Sequence, residues 1–323
     1  MMKEKNMKTH NYIFKALYKT ILLIAFSTNL VFGQTTLKKV GKYNPGICYG
    51  LSIINHYAYT TTNKSLIILD IQNPEKPTKV AELEVGVPIF GLSVKNDYGF
   101  LAASDKGLII VDISNPNDPK IVGEYNSRGT MARVEVVDNY CYTINQEHGI
   151  EIIDISEPTK PQKVGSFQIT ARALSIQDNI AFVSDPINGL TVLDISSPGN
   201  IKKLNIVDNT IGAAGISVNN GMLYLGSYNN WVSVYNISEP RSPKFLTRYT
   251  YPDEVSDLIM TDKYLITNFQ GITIKDITDV RNPILYAEYH VRGIKGGVHD
   301  IVVQNNYIYF ALKGITVLRI EKD

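Results

Sequence analysis

The sequence predicts an all-β chain folded as a seven-bladed β-propeller, with four strands per blade and an N-terminal strand completing the last blade. Three observations predict it. A turn-like segment recurs along the chain at nearly constant spacing, each period holds four strand-like runs, and the two ends are complementary fragments of one period.

The recurring segment reads "LDIQNPEKP", "VDISNPNDP", "IDISEPTKP", "LDISSPGNI", "YNISEPRSP" and "KDITDVRNP", with a truncated seventh copy, "LRIEKD". Its key residues are Asp70, Asp112, Asp154, Asp194, Asn236, Asp276 and Arg319, separated by 42, 42, 40, 42, 40 and 43 residues. A period of about 40 to 45 residues is the length of one four-stranded propeller blade.

Four strands, A to D, follow from β-branched and aromatic runs bounded by turn residues. In the second period they are "GLSVK" (Gly91 to Lys95), "YGFLAAS" (Tyr98 to Ser104), "LIIVDI" (Leu108 to Ile113) and "KIVGEY" (Lys120 to Tyr125). Between A and B stand Asn55-His56, Asn96-Asp97, Asp138-Asn139, Asp178-Asn179, Asn219-Asn220-Gly221, Asp262-Lys263 and Asn305-Asn306. Asn and Asp tolerate positive φ and suit tight hairpins. Strand C is apolar at successive positions, as a strand covered on both faces must be.

The chain ends supply closure. "LKKVGKY" (Leu37 to Tyr43) has the pattern of a D strand with no A, B or C before it, and "LRIEKD" is a C strand with no D after it. Pairing the two closes a ring of seven blades and leaves no exposed first-to-last interface.

The strand C cores "LIILDI", "LIIVDI" and "IEIIDI", each followed by the "xxPxxP" spacing, resemble the LVIVD repeat family of secreted or surface proteins, over Leu37 to Ile320. The resemblance implies a β-propeller and an exported location, and adds little about chemistry. Later copies depart from the pattern, with Ile201 in place of a Pro, Val280 in place of another, and Asn236 and Arg319 in place of Asp.

Residues 1–33 are expected to be a secretory signal peptide: Lys3, Lys5, Lys8, Lys15 and Lys19 precede the apolar run "ILLIAF", and Val31 and Gly33 suit cleavage before Gln34. Residues 34–323 are then the single repeat-built domain, periplasmic, on the outer surface or secreted, with no membrane insertion after cleavage. Removal of the leader moves the formal charge from +1 to −3. A basic face for nucleic acid is therefore not expected. Cys48 and Cys141 occupy different places in the repeat and are expected to be free thiols.

A ring of Asp residues invites a calcium reading. Each period offers one carboxylate, however, and Ca²⁺ takes about six to eight oxygens. The Asp is read instead as bonding backbone N–H groups two residues on, with Pro ending the strand. No metal, cofactor or catalytic residue is assigned, and no His pair has zinc-like spacing.

If the A–B and C–D turns are demanded by the fold, specialisation belongs at the opposite end, among the B–C loops and D–A connections. Two departures from the repeat stand out there. Gly107, Gly149, Gly189, Gly271 and Gly314 precede strand C, but Ser65 and Trp231 replace Gly in two copies; Trp231, the only Trp, lies in "GSYNNW" with Tyr228. Either it is an exposed platform for a sugar ring or an apolar partner, or it packs on the neighbouring blade.

The second departure is where strand A begins. Gly50, Gly91, Ala173 and Gly215 give way to Arg133, Asp257 and Asp300, and the preceding column reads Tyr49, Phe90, Ala132, Arg172, Ala214, Ser256 and His299. These charges, rings and imidazole would converge on the channel mouth, below a Gly-rich connection, His290 to His299, that could cover it. The expected function is non-catalytic binding of a protein partner or surface glycan through Tyr49, Phe90, Arg133, Arg172, Tyr228, Trp231, Asp257, His299 and Asp300. The alternative is a polysaccharide-active enzyme at the same mouth, either a hydrolase using Asp257 and Asp300 or a lyase using His299 with Tyr49 and an Arg.

Overall fold

Twenty-seven strands and no helix make up the described residues, 35–268, 271–291 and 298–321, of the computed structural model. The proposed leader, and residues 292–297 of the connection before His299, lie outside them. The strands form seven antiparallel sheets arranged as a propeller, so the predicted fold class holds. Six sheets run A-B-C-D in chain order, over residues 51–84, 91–125, 131–167, 173–207, 213–250 and 258–290 (blades 1 to 6). In blade 2 the strands are Gly91–Lys95, Tyr98–Ala102, Leu108–Asp112 and Lys120–Tyr125.

Blade 7 is closed by both chain ends. Asp300–Gln304 is its strand A, the long stretch Tyr307–Glu321 supplies B and C, and Thr36–Ile47 pairs along C as strand D, with Leu37 opposite Ile320 and Tyr43 opposite Ile315. Arg319 stands where other copies carry Asp or Asn. Its guanidinium pairs with Glu321 of its own strand and with Glu75 in the turn of blade 1, so this departure is used across the closing seam.

Each of seven apolar clusters joins two neighbouring blades. In strand C of blade 1, Ile67 and Leu69 face blade 7, whereas Leu66 and Ile68 face blade 2. Successive side chains of a strand point to opposite faces, so a strand between two neighbours has to be apolar at every position. Cys48 lies in the seam between blades 7 and 1, and Cys141 in that between blades 2 and 3. Both are buried and free, and burial pushes both thiols above their ordinary range.

The repeated turn is held as its sequence predicts. Asp70, Asp112, Asp154, Asp194, Asn236 and Asp276 each accept the backbone N–H two residues on, at 2.7 to 3.0 Å. The turn also clasps the preceding blade. Each of the six C–D pairs of blades 1 to 6 carries a bulge, and in blades 2 and 3 the strand D residue after it meets the next blade's turn. At Gly123 and Gly165 an added Cβ would lie 2.0 Å from the carbonyl oxygen of Pro158 and 1.9 Å from that of Pro198. Gly41 faces Pro74 in the same way across the closing seam.

Among the A–B hairpins, Asn55, Asn96, Asp138, Asp178, Asn220 and Asn305 have the expected positive φ. Blade 6 differs from the sequence reading, since neither Asp262 nor Lys263 has one. There the Thr261 hydroxyl accepts the Tyr264 N–H at 3.0 Å, and the Thr261 N–H donates to the Tyr264 carbonyl at 2.9 Å, closing the turn by another route.

Candidate functional site

The innermost strands expose unpaired edges to the central channel, and side chains bridge them. Asp300 accepts the Leu51 N–H at 2.8 Å, Glu135 the Ile176 N–H at 3.2 Å, and the Ser217 hydroxyl the Met260 N–H at 3.1 Å. In each case the acceptor belongs to one blade and the donor to the next. A related device ties strand B to the start of strand A: Thr61, Ser184 and Asn268 accept the N–H groups of Gly50, Ala173 and Asp257 at 2.9 to 3.1 Å. Asn268 also donates to the Ser256 hydroxyl at 3.0 Å and to the Val298 carbonyl at 3.1 Å, fixing the starts of two A strands together.

Above this layer a cavity of about 370 Å³ opens at the end of the ring that carries the B–C loops and D–A connections. Tyr49, Phe90, Arg133, Arg172, Asp257 and His299 line it, and so does Tyr228 from the loop before Trp231. Asp300 stands directly behind, its two oxygens accepting the N–H groups of Leu51 and Ile301. Gln146 and Glu254 also line the cavity and were not singled out by sequence. Gln146 follows strand B of blade 3 and Glu254 precedes strand A of blade 6, in connections whose lengths vary and which no column of the repeat aligns.

The rings and charges are ordered. Tyr49 meets Phe90 edge-on at 5.3 Å between ring centroids, and His299 at the same separation on its other side. The Tyr49 hydroxyl donates to Asn63 Oδ1 at 2.7 Å. Arg172 Nε donates to the Tyr228 hydroxyl at 2.7 Å. Arg241 and Arg319 have carboxylate partners, but among the described residues neither Arg133 nor Arg172 has one at ion-pairing distance.

Trp231 does not join this group. It is the first residue of strand C in blade 5 (Trp231–Asn236), 8% exposed, and packed against Phe182, Leu190 and Val192 of blade 4. The Arg248 guanidinium lies 4.2 Å from the ring centroid. The exposed-platform reading is therefore corrected. In other blades Gly at this column takes the left-handed conformation itself, with φ of 82° at Gly107 and 93° at Gly189; in blade 5 Asn230 takes it one residue earlier, at 64°. Trp231 is thereby freed to enter the strand and fill the seam.

Electrostatics in the mouth follow from burial. Burial raises the Asp257 carboxyl above the ordinary range, against the pull of Arg133, the Leu258 N–H and Arg172. Burial, then repulsion from Asp257, pushes Asp300 up to about 7. Burial lowers the His299 imidazole, and Arg133 and Arg172 lower it further, so it is neutral at neutral pH. An acid whose folded pKa is raised binds its proton more tightly when folded, so its favourable contribution is present below its unfolded pKa and disappears as pH rises through the folded value. Relative to Asp300→Asn, the parent protein is therefore expected to lose stability as pH climbs from 3.8 to about 7. Urea midpoints for the two proteins across that range check this, and parallel profiles would refute it.

A larger hollow, about 700 Å³, lies on the outer wall beside the D strands of blades 4 and 5, lined by Ile206, Tyr235, Phe245 and Arg248 among others. It gathers none of the strand A departures, and Arg248 there is occupied by the Ser233 hydroxyl and the Asn209 carbonyl at 2.7 and 2.8 Å. The mouth is the better candidate.

This geometry defines a closed propeller with one specialised end. Residues 45–83, 91–127, 128–169 and 170–208 match the LVIVD repeat, and the chain belongs to that family of repeat propellers. The matches cover blades 1 to 4; blades 5 to 7 hold Asn236, Val280 and Arg319, where the turn has drifted. No curated protein matches the sequence. Among solved structures, the computationally designed Ika8 protein is similar over 90% of this chain and all of its own, with 11% identity and a TM-score of 0.65. Sqt1 of Saccharomyces cerevisiae is similar over 90% of this chain and 99% of its own, with 9% identity and a TM-score of 0.65. Likeness at that identity shows the fold alone.

Proposed function

We propose that the chain is an exported, non-catalytic binding protein that takes a surface glycan or a protein partner at the channel mouth. The observation carrying this reading is the convergence of Tyr49, Phe90, Arg133, Arg172 and His299 on one cavity, from five different blades. Small pre-formed clefts lined by rings and a few convergent polar groups are the usual form of ligand sites, in the range of about 300–1,000 Å³. Export rests on the basic, then apolar, leader pattern of residues 1–33.

The non-catalytic part of the proposal rests on Asp300. A carboxylate pair for glycoside hydrolysis needs both groups free to meet substrate, with one acting on the leaving oxygen and the other on the anomeric carbon or its water. Both oxygens of Asp300 are instead engaged by backbone N–H groups, one of them in the closing seam. That carboxyl supports the ring.

The test is a glycan array, with an array of purified envelope proteins beside it, probed with the 34–323 chain. Phe90→Ala and Tyr228→Ala are expected to abolish the signals, and Lys160→Ala, at the C–D turn end, to leave them intact. Signals indifferent to the mouth substitutions would refute the location. Release of reducing ends or unsaturated sugars from any array ligand would refute the absence of catalysis.

A further inference from the structure

Resting on the mouth as the binding site, we propose that the ligand is an acidic sugar residue whose carboxylate is held by Arg133 and Arg172 and whose hydroxyls face Asp257 and Ser256. Two guanidinium groups stand at one cavity without a carboxylate partner among the described residues, although the same chain pairs Arg241 with Asp194 and Arg319 with Glu75 and Glu321. Arg172 is steadied through Nε by the Tyr228 hydroxyl at 2.7 Å, which leaves its terminal amino groups available. Planar guanidinium groups match carboxylates in geometry as well as charge.

A bare anion fits poorly, because Asp257 and Glu254 line the same cavity and would repel it. The ligand has to bring hydrogen-bond donors as well as a negative charge. A uronate carries both on one ring: a carboxylate for the arginine side and hydroxyls for the acceptor side. Among the described residues, Asp257 Oδ1 receives only its neighbour's backbone N–H, from Leu258 at 3.0 Å. The Ser256 hydroxyl accepts from Asn268, and is thus set to donate to a ligand oxygen. Neutral His299, lowered by burial and by the two arginines, offers one donor and one acceptor without adding charge.

Size and surface agree. A space of about 370 Å³ takes one ring or a short oligomer, and Tyr49, Phe90 and Tyr228 supply apolar faces and edges for the C–H side of a sugar. An acidic peptide side chain would satisfy the arginines but bring no hydroxyls for Asp257 and Ser256.

The experiment is calorimetric titration of the unmodified 34–323 chain with oligogalacturonate, with the same oligomer after reduction of its carboxyl groups, and with oligoglutamate. Oligogalacturonate is expected to bind at least about tenfold more tightly than either of the others, a difference of about 1.4 kcal/mol. Arg133→Gln and Arg172→Gln are expected to erase that preference while thermal midpoints stay near the parent's. Equal binding of the acidic and reduced oligomers would overturn the proposal, as would no measurable binding of oligogalacturonate. Tighter binding of oligoglutamate would overturn it in favour of a protein carboxylate. The comparison between ligands uses the parent protein and needs no variant to fold. Should the acidic preference fail while Phe90→Ala still abolishes the array signals, the mouth remains the binding site and only the ligand class falls.

Discussion

Gly165→Val is expected to lower the stability of the ring by about 3 kcal/mol, the upper part of the range for forcing atoms into a filled site. A Cβ at position 165 would lie 1.9 Å from the Pro198 carbonyl oxygen; the backbone fixes where that Cβ sits, and the oxygen is itself a backbone atom. No rotamer change relieves such a contact, so either the strand D bulge of blade 3 or the turn of blade 4 has to move. Gly99→Ala is the matched control. It adds a methyl group to a strand B glycine whose nearest neighbours, in Ile113 and Val111, stand at 3.9 and 4.0 Å. It should shift stability by less than about 1 kcal/mol. Urea unfolding followed by circular dichroism separates the two, and equal midpoints would show that the turns do not clasp the preceding blades.

Trp231→Ala is expected to cost about 3 to 5 kcal/mol, the usual loss for truncating a buried large aromatic. The indole fills the seam between blades 4 and 5 and lies under the Arg248 guanidinium, so its removal leaves a cavity and strips that cation of its ring. Ligand affinity of the folded fraction should not change, because Trp231 does not line the mouth. Loss of binding with an unchanged unfolding midpoint would instead mean that the indole meets ligand directly.

The ring and its turn were legible because they are repeated. Six Asp or Asn residues at nearly equal spacing, each followed by Ile and then a polar residue, can satisfy the same backbone N–H in blades 1 to 6, and they do. The mouth was legible for the opposite reason: Arg133, Asp257 and Asp300 stand where other blades hold Gly or Ala, in the column that faces the next blade at close range. What stayed hidden depended on one-residue shifts and on contacts between blades. Trp231 occupies the Gly column, and nothing in the sequence shows that Asn230 has taken over the left-handed conformation. The partner of Gly165 is Pro198, in the following repeat, and only the ring brings the two together. Asn268 binds the starts of two A strands, a role visible only once strands A and B lie side by side.

One comparison tests the central claim, that the specialised end of an otherwise repetitive ring does the binding. The tightest ligand found on the arrays is titrated against the parent, Tyr49→Ala and Lys160→Ala. Tyr49 sits between Phe90 and His299 in the mouth, whereas Lys160 pairs with Glu157 in an exposed turn at the other end. The account predicts a loss of about tenfold or more for Tyr49→Ala and parent affinity for Lys160→Ala. Weakened binding by Lys160→Ala together with parent affinity for Tyr49→Ala would contradict it.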